Sequence, residues 1–368
     1  MKFKVILWVL LVCVGFVPDL GAAGNGADGK TRFLVVSSYH KEYSWSQETN
    51  RGFCAAMLKF GYFDNTEQTH EYTENDYVET SRAIIKKLWM DSKRKSRRAE
   101  MEETSIGIYQ TATGFKPDLI FLGDDNAANY VGNKFLDAEV PVVFWGVNKT
   151  PVKYGLLQSK ERPGHNVTGV YQSGYYLDSL KLLKRILPGV QTFAVLSVNT
   201  PTGRSHHKTI AYLARQGLLP LELVDIVATN DYEEWKHRAL ELQQRVDALF
   251  LAHCSGLENR SGQYVSSEEI FRWFGENIRV PTVAEQKNYI QQGILCGADD
   301  SAYNQGYEAV IIAHDILANG ADPATYPPRS PKRGALMVNK RRAEKLGLIL
   351  TKEMGIEEYI EQISTGQE

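Results

Sequence analysis

Cysteine is scarce in this 368-residue chain: of four residues, Cys13 lies in the apolar N-terminal run, and Cys54, Cys254 and Cys296 remain with no CxxC spacing. A thiolate zinc site and a disulfide framework are therefore not indicated. Cys254 and Cys296 each close a strand-like run, ALFLAHC and GILC, and are read as buried free thiols, with pairing in an oxidising compartment as the alternative. A basic excess is also missing. Lys+Arg 42 against Asp+Glu 44 leaves a net charge of −2, with nothing to neutralise a phosphate backbone, so nucleic acid is excluded as the main partner. GNGADGKT (24–31) fits the spellings GxxxxGK[ST] and GxGxxG, but it precedes the first strand-like run instead of following a strand and opening a helix, so it is not read as a phosphate loop or dinucleotide turn; GxSxG and HExxH are absent, and with them a nucleophile elbow and a zincin helix. Beyond the N-terminus no apolar stretch reaches membrane-span length. With 43% hydrophobic and 23% charged residues the composition is that of a globular protein. The length allows two domains or one large α/β unit.

Lys2 and Lys4 precede an apolar run from Val5 to Val17, and the small residues Gly21, Ala22 and Ala23 follow. This is the order of a cleavable secretory signal over residues 1–23, the alternative being an uncleaved anchor. Its removal takes away Lys2, Lys4 and Asp19, leaving 40 positive and 43 negative side chains, a net charge of −3.

From Arg32 onward, short β-branched runs alternate with amphipathic stretches. RFLVVS (32–37) reads as a strand, 46–60 as a helix and TEQTHEYT (66–73) as a strand. Val78, Ile84, Ile85, Leu88 and Trp89 predict a helix whose solvated end is the charged run SKRKSRRAEMEE (92–103). PDLIFLGDDNA (117–127) reads as a strand, an acidic turn and a helix start, and VPVVFWGVN (140–148) as a further strand. The stretch 151–170 has linker composition. A second series then places helices at 174–187, 205–216 and 232–244, and strands at 192–198, 221–227, 247–254, 280–285 and 293–299. A long helix (303–318), the Pro-rich DPATYPPRSP, a strand (334–340) and two short helices complete the chain. The expected fold class is α/β, with two doubly wound parallel sheets.

Ligands of such sheets sit beyond the carboxyl ends of the strands. In the first half those positions are Ser38, Tyr39, Asp124, Asp125, Asn126 and Asn148. In the second they are Asn199, Thr200, Thr202, Ser205, His253, Glu285, Asp299 and Asp300. The loop NTPTGRS offers hydroxyls and a helix start suited to a carboxylate, or else an N-cap at Thr202 or Ser205. Asp124 and Asp125 can hold an ammonium group, coordinate a hard cation or cap a helix. Tyr39, Trp45 and Tyr171 can wall an aromatic ligand, whereas Tyr175 and Tyr176 on a helix read as packing. His206, His207 and His253 lack metal-ligand spacing, and neither a metal nor a cofactor is expected.

SSYHKEYSW after the first strand, DLIFLGDDNA, VPVVFWGVN, NVTGVY, TFAVLSVNTPTGRS and GALMVNKRRAEKLGL together resemble the ABC transporter substrate-binding proteins of the periplasmic binding protein type I fold, in the branch related to aromatic amino-acid binders. The likeness runs over about 31–350. It implies two Rossmann-like lobes, three crossovers and a ligand cleft that closes by a hinge: an N-terminal lobe of 31–150 plus 301–325, and a C-terminal lobe of 170–298 plus 332–366. The crossovers fall near 148–171, 299–301 and 322–333. The charged insertion at 92–114 and the Asp124, Asp125 doublet depart from plain amino-acid binders, towards variants used as extracytoplasmic sensing modules.

The function so implied is capture of a small polar or zwitterionic solute, such as an amino acid, by a monomeric periplasmic protein that hands it to an ABC-type permease. Asp124 or Asp125 with Glu285 would take the ammonium group, 199–205 the carboxylate, and Tyr39, Trp45 and Tyr171 the side chain. A stand-alone sensor presenting ligand to a membrane receptor is the alternative. An exported hydrolase is disfavoured, because adjacent carboxylates on one turn are poorly placed to flank a scissile bond.

Overall fold

The computed structural model describes residues 29–148 and 151–361. The expected signal at 1–23 lies outside them.

The first sheet is built from β1 (Thr31–Ser37), β2 (Tyr77–Glu79), β3 (Ala83–Trp89), β4 (Leu119–Gly123), β5 (Val142–Val147) and β6 (Val167–Tyr171), in the order β2-β3-β1-β4-β5-β6. Only β2 runs antiparallel to its neighbour. Helices α1 (Ser44–Lys59), α2 (Thr66–Asn75) and α3 (Arg98–Phe115) and the short α4 (Asp124–Asn126) connect these strands. The order reverses between β1 and β4, so the switch-point crevice opens above Ser38 and Asp124.

The second sheet takes β7 (Thr192–Ser197), β8 (Glu222–Ala228), β9 (Ala248–Leu251), β10 (Thr282–Val283), β11 (Cys296–Ala298), β12 (Leu336–Asn339) and β13 (Glu358–Ile360), in the order β13-β12-β11-β10-β9-β7-β8. Its switch point lies between β7 and β9, above Asn199 and His253. Around it are α5 (Tyr176–Ile186), α6 (Pro201–Arg215), α7 (Tyr232–Leu242), α8 (Ser267–Asn277) and α9 (Lys287–Gln291), and near the C-terminus α11 (Lys340–Lys345). Between β11 and β12 stands α10 (Ala302–Asn319), which packs on α1 and the β5–β6 edge of the first sheet. The chain thus passes between the sheets after β6, after β11 and after α10. Apolar cores cover both faces of both sheets.

Four local expectations fail. Residues 66–73 form α2, because the Asn65 side chain accepts from Gln68 N (3.0 Å) as an N-cap and Asp76 closes the helix in the left-handed region. Only Tyr72 of α2 is buried, so there was no apolar face to see. Residues 78–89 form β2 and β3 rather than a helix. Lys86 and Lys87 interrupt the apolar run of β3, yet Lys87 is buried, its Nζ donating to Asn50 Oδ1 (2.9 Å) and lying 4.1 Å above the Trp89 ring. The charged run 92–103 is a loop and the start of α3, and the supposed linker contains β6. The structure also contains α8 and β13, which the alternation did not reveal.

Candidate functional site

On the first-sheet side, the loop after β1 carries Tyr39 and Tyr43, whose rings meet edge-on at 5.0 Å. The exposed Lys93 ammonium lies 4.6 Å from the Tyr39 ring centroid and 5.0 Å from that of Tyr43. Trp45 Nε1 donates to Asp124 Oδ1 at 2.8 Å. Asp124 is 2% exposed and has φ +69°, a conformation that costs energy for a residue with a Cβ. Gly146, at φ +66°, makes room: a Cβ there would lie 2.5 Å from Asp124 Oδ1. Burial holds the Asp124 carboxyl well above its usual range, against the pull of the Trp45 hydrogen bond.

The acidic doublet divides its work. Asp125 accepts from Tyr154 Oη (2.8 Å) and from Asn148 N (3.2 Å) and Nδ2 (3.3 Å), which fixes the loop after β5. Asn126 donates to Ser92 Oγ (2.8 Å). Ser38 is fully buried and ties β1 to β4, donating to Gly123 O (2.6 Å) and accepting from Ala127 N (2.8 Å). Asp125, Asn126, Asn148 and Ser38 are therefore framework.

On the second-sheet side, the start of α5 and the second turn of α6 bring Tyr176 Oη within 2.6 Å of His206 Nδ1, which is itself 2.8 Å from Glu285 Oε1. The rings of His206 and His253 stack at 6.0 Å. Glu285 and Asp300 are 1% and 2% exposed, and despite the neighbouring imidazole no oxygen of either carboxylate receives an aligned hydrogen bond. Burial, and then the charge of Glu285, push the Asp300 carboxyl up to about 7. Burial works against a charged His206, but Glu285 prevails and raises it. His253, buried and close to His206 and Lys93, is lowered to about 3. The charge of Lys93 is felt at His253 and that of Tyr43 at Tyr289, so the loops beyond the strand ends of the two sheets face each other.

The remaining predicted positions lie elsewhere or serve the scaffold. NTPTGRS is not an open anion loop, because α6 already begins at Pro201, and Thr200, rather than Thr202 or Ser205, is the N-cap, accepting from Gly203 N (3.1 Å). Asn199 accepts from Arg204 Nη1 through O (3.0 Å) and Oδ1 (2.9 Å), while Thr202 and Ser205 are half-buried on α6. Tyr171 packs on Phe144 at the end of β6, and its carbonyl accepts from Gln305 Nε2 (3.0 Å). Asp299 accepts from Lys287 N (3.3 Å) and is pushed up by burial to about 6. Tyr43, Lys93, Tyr176 and His206 were not anticipated. Tyr176 opens α5 and His206 lies in the second turn of α6, beyond the strand ends that guided the search. Among the described residues no group of three or more His, Cys, Asp or Glu could hold a metal, and Cys54, Cys254 and Cys296 are free and buried.

A raised carboxyl pKa makes a testable demand. The folded state holds the Asp300 proton more tightly than the unfolded chain, so its contribution to stability is full below the unfolded value of about 4 and is lost as pH rises through about 7. The lowered His253 works oppositely, but only below its unfolded value of about 6.5. The raised His206 loses its contribution in the same direction above about 6.5. The melting temperature of the ligand-free protein should thus fall between about pH 6.5 and 8, and Asp300→Asn should make that slope shallower. Equal slopes in the two proteins would refute the assignment.

Comparison with known proteins places this geometry. A tyrosine-binding protein of Clostridioides difficile is 22% identical over 335 residues, covering 87% of this chain and 83% of its own length. The fold is shared with the ABC domain in complex with L-Trp from Streptococcus pneumonia, at a TM-score of 0.63 and 16% identity over 90% of this chain and 100% of that one. It is shared equally with a ligand-free, open substrate-binding protein with adhesive properties from Clostridium difficile, at 0.63 and 20% identity over 90% and 99% of the two chains. Two of these relatives are binding proteins by description and the third holds L-Trp, and no helix among the described residues is long and apolar enough to cross a membrane. Residues 85–358 match the family of ABC transporter substrate binding proteins, and the chain belongs to that family.

Proposed function

We propose that the protein is exported to the periplasm and captures a small zwitterion, an amino acid with an aromatic or similarly flat side chain, for delivery to an ABC-type permease. The observation that carries this reading is the pair Glu285 and Asp300: two buried carboxylates with unserved oxygens, on the far side of the cleft from the exposed Lys93. Beyond the ion pair of Glu285 with His206, the two carboxylates keep oxygens with no aligned hydrogen bond in a desolvated site, and a ligand ammonium would supply both the donors and the charge they lack. Lys93 forms no ion pair among the described residues and would take the ligand carboxylate, while Tyr39, Tyr43 and Trp45 enclose the side chain. The tyrosine-binding relative supports the ligand class.

Calorimetry and thermal denaturation with L-tyrosine, L-tryptophan, L-leucine and the decarboxylated amine tyramine test this. A true ligand at 100 times its dissociation constant should add about 2.7 kcal/mol of stability. Lys93→Ala should weaken an amino acid about tenfold and leave tyramine unchanged. If none of the four ligands shifts the melting temperature, the zwitterion reading fails.

A further inference from the structure

A second cavity, of about 270 Å³, lies between α8 and α11, away from the cleft. Its walls include Phe271 and Arg272 of α8, Gly293, and Arg341, Arg342 and Lys345 of α11. Topology places it at the opposite end of the second sheet. Gly293 precedes β11, and the carbonyls of Ile278 and Val280, which receive Arg342, precede β10, whereas the cleft residues Glu285 and Asp300 follow those two strands.

Arg342 is the unusual member. It is 5% exposed, and its Nη2 donates to Ile278 O (2.8 Å) and Val280 O (3.1 Å), yet its Nε has no acceptor and no carboxylate pairs with it among the described residues. A buried guanidinium whose Nη2 spends both hydrogens on carbonyls still has Nη1 and Nε to offer, and Nη1 can donate to an oxyanion. The surroundings strengthen the demand. Arg272, Arg341 and Lys345 form no ion pair among the described residues, and Glu268 and Glu276 on the α8 rim leave the lining with a net positive charge. Burial and the nearby Arg279 both disfavour the charged form of Arg342, a cost that a bound anion would remove.

We infer that this cavity is a second ligand site, distinct from the cleft, for a compact oxyanion on an apolar body: the anion takes Nη1 of Arg342 together with Arg341 and Lys345, and the body rests on Phe271.

Titration calorimetry on the purified protein at constant ionic strength, with inorganic phosphate and with benzoate, tests this and separates phosphate from carboxylate recognition. Saturable one-to-one binding of at least one probe is expected. Arg342→Gln should weaken it at least tenfold, and Arg341→Ala/Lys345→Ala, which touches only exposed side chains, about threefold to tenfold. Lys93→Ala should leave it unchanged, which keeps this outcome separate from the fate of the cleft reading. Absence of saturable binding by both probes, unchanged affinity in the exposed double variant, or loss of binding in Lys93→Ala would each overturn the proposal. If Arg342→Gln fails to fold, the exposed double variant decides alone.

Discussion

Glu285→Gln/Asp300→Asn should lose an amine ligand by a factor of roughly 30 to several thousand, while the ligand-free protein melts at the same temperature or higher. The two halves of this result come from one cause. Truncating a buried, charge-assisted partner of a ligand typically costs about 2–5 kcal/mol of binding. In the empty cleft the same carboxylates are a burden, because both are buried and neither receives an aligned hydrogen bond. Replacing them with neutral amides of like shape removes that burden and preserves the packing. Calorimetry and differential scanning on the same samples measure both quantities. A double variant that loses affinity and stability together would show that the carboxylates hold the fold rather than the ligand.

Gly52→Ala should cost about 2–3 kcal/mol of stability, a drop in melting temperature of roughly 5–10 °C. A Cβ at Gly52 on α1 would stand 1.8 Å from the carbonyl oxygen of Tyr303 on α10, and one at Gly306 on α10 would stand 2.1 Å from Thr49 O. The two helix backbones are in contact and cannot admit a methyl group without sliding apart. Alanine's better helix propensity returns only about 1 kcal/mol of the loss. Because α10 starts at Ala302, two residues after Asp300, the displacement should also weaken ligand binding. A variant with wild-type melting temperature would mean that the helices separate freely.

The α/β class and the alternation of the second half were legible because parallel strands buried on both faces read as short apolar runs, as in TFAVLS and ALFL. Residues 66–89 were not, since α2 has one buried residue and β3 hides a lysine. At the site, the strand-end rule reached Tyr39, Asp124, His253, Glu285 and Asp300. It could not tell Asp124 from Asp125, because the difference lies in partners distant in sequence, Trp45 for one and Tyr154 and Asn148 for the other. Nor could it find the link from Tyr176 through His206 to Glu285, which three separate elements assemble.

The placement of α10 also bears on when the protein can finish folding. Phe33, Phe53 and Phe121 of the first sheet and its cover share a core with Ala309, Val310, Ile312, Ala313 and Ile316 of α10, which the chain supplies only after the parallel strands of both sheets. The second sheet in turn awaits β12 and β13, ending at Ile360. Neither half can seal its core early in synthesis, and loops this long close slowly. Each half therefore completes its core only when nearly all of the chain has been made, so the two must finish folding together rather than one after the other.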